Sequence, residues 1–113
     1  MKNYTIHCNE EQLQLLRTAV ELQMRIRIGQ GWAITENLID ITDPDYRPLK
    51  DAYDHMLDAV LRRISINIDG TLKHPNTMIE RDMWIGLENA LGMRTEEIGL
   101  SEYGIMKVEE VSE

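Results

Sequence analysis

Arginine is the residue type in this sequence whose chemistry and spacing best suit a binding site. Eight arginines stand against four lysines, and several of them lie in pairs or near a tryptophan. A guanidinium group holds phosphate through two parallel hydrogen bonds, and both it and an aromatic ring can stack on a nucleobase. This combination predicts a site for a small anionic, nucleotide-like ligand. The predicted ligand-binding residues are Arg25, Arg27, Gln30, Trp32, Arg62, Arg63 and Trp84.

The same arginines also have the spacing of ordinary ion pairs along a helix. Glu21 lies four residues before Arg25 and four residues after Arg17, and side chains at this spacing are neighbours on a helix surface. Asp58 and Arg62 are spaced in the same way. A structural role therefore explains any one arginine better than a ligand does, and the predicted pocket requires at least two of them to converge.

Residues that usually carry catalysis or bind metals form no such pattern in the sequence. The three histidines lack the spacing of paired metal ligands, and Cys8 is expected to be a small buried apolar residue. The stretch that begins at Ser65 resembles a calcium-binding loop, but Ser65 and Asn76 stand at the first and twelfth positions, where carboxylates are required. We therefore expect a protein that is not an enzyme, with no catalytic residue, no metal site and no cofactor.

Length and charge restrict the possible partners. The 113 residues are expected to form a single domain over positions 1–113, because domains of about 100–150 residues are the most common. A net charge of -8 makes direct binding to duplex DNA improbable, since phosphate backbones are bound by concentrated positive charge. No apolar run approaches the ~18 residues of a membrane span. The expected location is the cytoplasm, or the host cytoplasm if the protein is encoded by a phage.

Hydrophobic periodicity predicts three main helices, a short one, and strands at both ends of the chain. Alternating apolar residues predict strands, and Asn or Thr followed three residues later by Gln or Glu predicts a helix start. The fold class predicted is α+β: three main helices with a small antiparallel sheet that pairs the N- and C-terminal strands. The expected elements are strands at 4–8 and 103–108, helices at about 10–28, 33–39, 44–64 and 78–91, and a hairpin around 69–70.

The first helix has more apolar positions than one packing face requires. Apolar residues stand at positions 13, 15, 16, 19, 20, 22, 24 and 26, so they cover more than a single stripe of a helix surface. This width predicts a homo-oligomer, of which a two-fold dimer is the commonest form among soluble proteins.

Two segments resemble a group of small phage-encoded proteins. In those proteins a first helix rich in glutamate and leucine ends in Arg-Ile-x-Ile/Met-Gly-Gln, as the stretch from Leu16 to Gln30 does here; the segment from Glu80 to Ile85 is similar to their later amphipathic helix. Some proteins of this kind are sponges for immune signals, including the Thoeris anti-defence proteins, which sequester cyclic ADP-ribose derivatives. The resemblance implies an oligomer that binds without catalysis, with arginines on phosphates and an aromatic ring on the base.

The sequence thus favours one function and leaves a second open. The first is a non-enzymatic anti-defence protein that sequesters a nucleotide-derived signal, such as a cyclic ADP-ribose-like molecule or a cyclic oligonucleotide. The alternative is an acidic inhibitor or regulator that docks on a basic surface of a host protein. Its support is the charge of -8 and the acidic C-terminal tail that begins at Glu109.

Overall fold

Helices account for the regular structure that we find in this chain. The computed structural model describes residues 1–111, except for the side chains of residues 58, 61 and 62. Its helices are α1 (Glu10–Arg27), α2 (Trp32–Leu38), α3 (Tyr46–Ser65) and α4 (Met78–Ala90). The chain divides into two compact units, the first made of Met1–Val20 and the residues from Met78 onward, the second of Glu21–Thr77. The single domain predicted for the whole chain stays a prediction.

The α+β prediction is wrong, because the described part of the chain contains no strand. The terminal segments 4–8 and 103–108 have no regular structure, and β pairing is limited to one isolated antiparallel bridge between Ile66 and Leu72, beside the predicted hairpin turn. The C-terminal segment packs on α4 instead of on a strand: the Met106 amide donates to the Asp82 carbonyl over 3.3 Å. Period-two alternation over five residues cannot by itself supply the neighbouring strand that a sheet requires.

Ile6 is exposed, and this changes the effect on stability that we expect from substituting it. A strand that covered the helices would make Ile6→Asp cost about 2–5 kcal/mol. Ile6 is 79% exposed in the structure, so we expect Ile6→Asp to leave the melting temperature close to that of the parent. Thermal unfolding followed by circular dichroism tests this. A marked loss of stability would show that Ile6 is buried.

The predicted helix ends are confirmed where local hydrogen bonding decides them. The Asn9 side chain accepts from the Gln12 amide over 2.8 Å, and the Gln12 side chain accepts from the Asn9 amide over 2.9 Å. This reciprocal capping starts α1 at the expected residue. By contrast, α3 begins later than its predicted Asp43-Pro44 start, because the Asp45 carbonyl accepts the first helical bond, from Leu49.

In the first unit, α4 supplies the buried core and two buried carboxylates, those of Asp82 and Glu88. Ile85 and Leu87 are buried, and so is the carboxylate of Glu88. Glu88 receives Arg17 Nη2 at 2.7 Å on one oxygen and Arg94 Nε at 2.9 Å on the other. Two guanidinium groups therefore compensate the buried carboxylate of Glu88, as a buried charge requires.

In the second unit, α2 packs against α3 through polar groups. The hydroxyl of Thr35, a buried residue of α2, donates to the Asp54 carboxylate of α3, which also accepts from Lys50 Nζ at 2.7 Å. These hydrogen bonds lower the pKa of Asp54, the bond from Lys50 most strongly. At the end of α3, the buried Ser65 hydroxyl donates to the Ile26 carbonyl over 2.8 Å. This bond connects the end of α3 to the end of α1.

Candidate functional site

Three of the predicted ligand-binding residues converge where α1 ends and α2 begins. Arg25 Nη1 donates to Gln30 Oε1 over 2.8 Å, and its guanidinium carbon lies 5.1 Å from the centre of the Trp32 ring. Arg25 Nε also donates to Glu21 Oε1 over 3.0 Å, which confirms the ion pair expected from their spacing. We call Glu21, Arg25, Gln30 and Trp32 the Arg25–Trp32 cluster.

A glycine turn positions this cluster. Gly29 has a φ of 82°, the left-handed conformation that glycine adopts without strain. The Gln30 amide donates to the Arg25 carbonyl over 2.8 Å, and the Gly29 amide donates to the Ile26 carbonyl over 3.0 Å. This pair of bonds is a Schellman motif. It ends α1 and folds the chain back so that Gln30 and Trp32 return to Arg25.

The exposure of the cluster determines what it can bind. Trp32 remains 41% exposed although Arg25 lies over its ring. A cation on an aromatic ring is a favourable contact, and the exposed part of the indole is available to a second flat ring. The Arg25 side chain is about three-quarters buried and already paired with Glu21. A ligand phosphate that reached this guanidinium would have to replace the Glu21 carboxylate.

The other predicted site residues lie at different places in the chain. Arg27 is half-buried and belongs to the last turn of α1, whereas Arg63 is exposed near the end of α3. The side chain of Arg62 lies outside the described residues. Trp84 belongs to the first unit, and there Arg94 lies over its ring with 4.6 Å between the guanidinium carbon and the ring centre.

The sequence missed the partners that come from distant positions. Arg94 was not predicted to contact Trp84 or Glu88, and Arg17 was assigned to Glu21, four residues away, whereas the structure shows it paired with Glu88, 71 positions away. No local spacing signals these contacts. In these contacts, arginines of the first unit bind carboxylates and an indole ring of the protein itself. Arginine therefore has a structural role in this unit.

The Arg25–Trp32 cluster must be interpreted from its own chemistry. No protein-family model, curated protein or solved structure matches this chain. Among the side chains that the structure describes, no three His, Cys, Asp or Glu residues are grouped so that they could hold a metal ion. Across the same part of the chain, every helix is too short or too polar to span a membrane.

Proposed function

We propose that this protein is a non-catalytic binding protein of the phage anti-defence type, which sequesters a nucleotide-derived signal at the Arg25–Trp32 cluster. The observation that carries the proposal is the half-exposed Trp32 ring with Arg25 over it and Gln30 beside it. The resemblance of the α1 end to phage proteins supports the same function.

The cluster carries groups that can bind a base and a phosphate. The exposed indole surface can stack on a base, a contact worth roughly 1–3 kcal/mol. The side-chain Nε2 of Gln30 can donate to a base edge, and a phosphate would bind Arg25 by replacing the Glu21 carboxylate. A stacked base and a bound phosphate together define the expected ligand class: a small molecule with a purine-like ring and at least one phosphate.

Trp32→Ala should weaken binding of such a ligand by about tenfold or more, since it removes the stacking surface. Isothermal titration calorimetry with cyclic ADP-ribose, ADP-ribose, a cyclic dinucleotide and adenosine measures this. Tyr4→Ala is the matched control because it removes another exposed aromatic ring, outside the cluster. Equal affinity of Trp32→Ala and the parent, or no binding of any phosphorylated compound, would contradict the proposal.

An acidic interaction protein is a second candidate, favoured by one exposed stretch of the second unit. Residues 36–43 expose Glu36, Asp40 and Asp43 together with the apolar side chains of Leu38 and Ile41. Such a surface suits a basic partner protein that also has apolar pockets. The two functions are separable, because charge-neutralising Asp40→Asn and Asp43→Asn should abolish capture of a host protein while leaving nucleotide binding at Trp32 unchanged.

A further inference from the structure

One face of α3 presents a continuous row of exposed apolar side chains. Each of them is between 40% and 54% exposed, and they recur every three or four residues along the helix. A large exposed apolar patch on a folded chain marks an interaction surface. We call this row the α3 stripe; its members are Leu49, Tyr53, Met56, Val60 and Ile64.

The α3 stripe is separate from the face of α3 that packs within the second unit. That packing runs through Asp54, which accepts from Thr35 of α2 and from Lys50. From Leu49 to Val60 the stripe has steps of four, three and four residues, which is the spacing of a coiled-coil seam. The stripe is therefore patterned for another helix of similar length.

We propose that a second copy of this chain covers the α3 stripe, with the two α3 helices antiparallel. The charges beside the stripe support this choice of partner and direction. Asp45 and Arg63 are exposed and 18 residues apart, which is about five full turns of an α-helix, so they lie on the same flank at opposite ends. A two-fold axis across antiparallel helices places Asp45 of each copy beside Arg63 of the other.

The same charges disfavour the parallel arrangement. In a parallel pair the two-fold axis runs along the helices, so the two copies of Asp45 lie at the same level on opposite sides of the seam, as do the two copies of Arg63, and no Asp45–Arg63 pair forms. The antiparallel register that sets Leu49 opposite Val60 and Tyr53 opposite Met56 differs by one residue from exact Asp45–Arg63 opposition, so the apolar residues match while the end charges stay close. Such a self-complementary surface is what a two-fold dimer requires. This interface goes beyond the proposed ligand site and uses none of its residues.

Cysteine cross-linking tests the direction of the helices. In a Cys8→Ser background, Leu49→Cys and Val60→Cys proteins are prepared separately, mixed, equilibrated and oxidised. The antiparallel dimer predicts a disulfide-linked species in the mixture and almost none in either protein alone. Cross-linking within each protein alone would indicate parallel helices, and no cross-linking in the mixture would indicate that α3 is not the interface; both results would overturn the proposal.

Sedimentation equilibrium tests the surface itself. The parent should be a dimer at micromolar concentration, and Met56→Glu should weaken dimerisation by about a hundredfold, since it buries a charge in the seam. Ile68→Glu and Leu15→Glu place the same charge on exposed apolar residues outside the stripe and should leave the dimer intact. A monomeric parent, or a dimer that survives Met56→Glu and is lost in Leu15→Glu, would refute the α3 interface.

A charge swap provides a test that does not disturb the apolar row. Asp45→Arg and Arg63→Asp should each weaken the dimer by about tenfold, because each sets like charges together. The double variant should restore the parent affinity, since it only exchanges the two charges. Two single losses without recovery in the double variant would contradict the antiparallel pairing. Circular dichroism confirms that each variant is folded.

Discussion

Gly86→Ala is expected to destabilise the first unit by about 2–3 kcal/mol, because it forces a methyl group into a packed backbone contact. Gly86 lies within α4, where alanine would normally be favoured over glycine by close to 1 kcal/mol. Here the added Cβ would overlap the Met106 carbonyl oxygen and come within 3.0 Å of its carbonyl carbon. The obstacle is backbone, so a side-chain rotation cannot relieve it. We expect the segment around Met106 to move away from α4.

Urea unfolding followed by circular dichroism measures this loss as a change in the free energy of unfolding. Gly70→Ala is the informative control, since nothing lies within 4 Å of its added Cβ and only the positive φ of 87° opposes it. That strain costs roughly 1–2 kcal/mol. A Gly86→Ala protein at least as stable as the parent would show that Met106 does not lie against α4.

Acid should destabilise the first unit through Asp82, a residue that is only 1% exposed. It accepts hydrogen bonds from the Leu100 amide at 2.8 Å, the Ser101 amide at 2.7 Å and the Ser101 hydroxyl at 2.6 Å. Burial raises the pKa of Asp82, but these hydrogen bonds, aided by the Arg81 charge, outweigh it and leave the pKa below its ordinary value of 3.8. The carboxylate therefore stabilises the fold above about pH 4, and this stability is lost as the pH falls through the lowered pKa.

Asp82→Asn should cost about 2–3 kcal/mol at pH 7, because it replaces charge-assisted hydrogen bonds and turns an amide group toward backbone donors. It should also flatten the dependence of stability on pH below about pH 4. Urea unfolding at several pH values tests both effects. Asp40→Asn is the comparison, since the Asp40 carboxylate accepts from Thr42 at an exposed turn, and its effect should be far smaller. An Asp82→Asn protein with the parent's acid sensitivity would contradict this account.

Local patterns predicted the helices of this chain well, and the terminal segments poorly. The Asn9–Gln12 capping and the Gly29 helix end involve residues a few positions apart, so their hydrogen bonds could be expected from sequence. A strand, in contrast, is defined by a distant partner. Residues 4–8 alternate but pair with no strand in the described part of the chain. In the C-terminal segment, Met106 instead contacts Asp82 and Gly86 on α4.

The candidate site divides in the same way. Arg25, Gln30 and Trp32 lie within eight positions of one another, and all three were predicted as ligand-binding residues; that Arg25 contacts the other two was not predicted and follows from the glycine turn at the helix end. The pairing of Arg94 with Trp84, and of Arg17 with Glu88, depends on packing in the first unit that no local pattern contains. Trp84 was therefore predicted as a ligand residue, although its ring is contacted by an arginine of its own unit.

The most direct test of the proposed function is a two-dimensional ¹H–¹⁵N spectrum of the protein, titrated with cyclic ADP-ribose and with a cyclic dinucleotide. The two tryptophans give two indole N–H signals, assigned with Trp84→Phe, so one signal reports on the cluster and the other serves as an internal control. The proposal predicts that the Trp32 signal shifts and saturates with at least one ligand while the Trp84 signal stays in place. A Trp32 signal that does not move with either ligand, or that moves only together with Trp84, would contradict binding at the Arg25–Trp32 cluster.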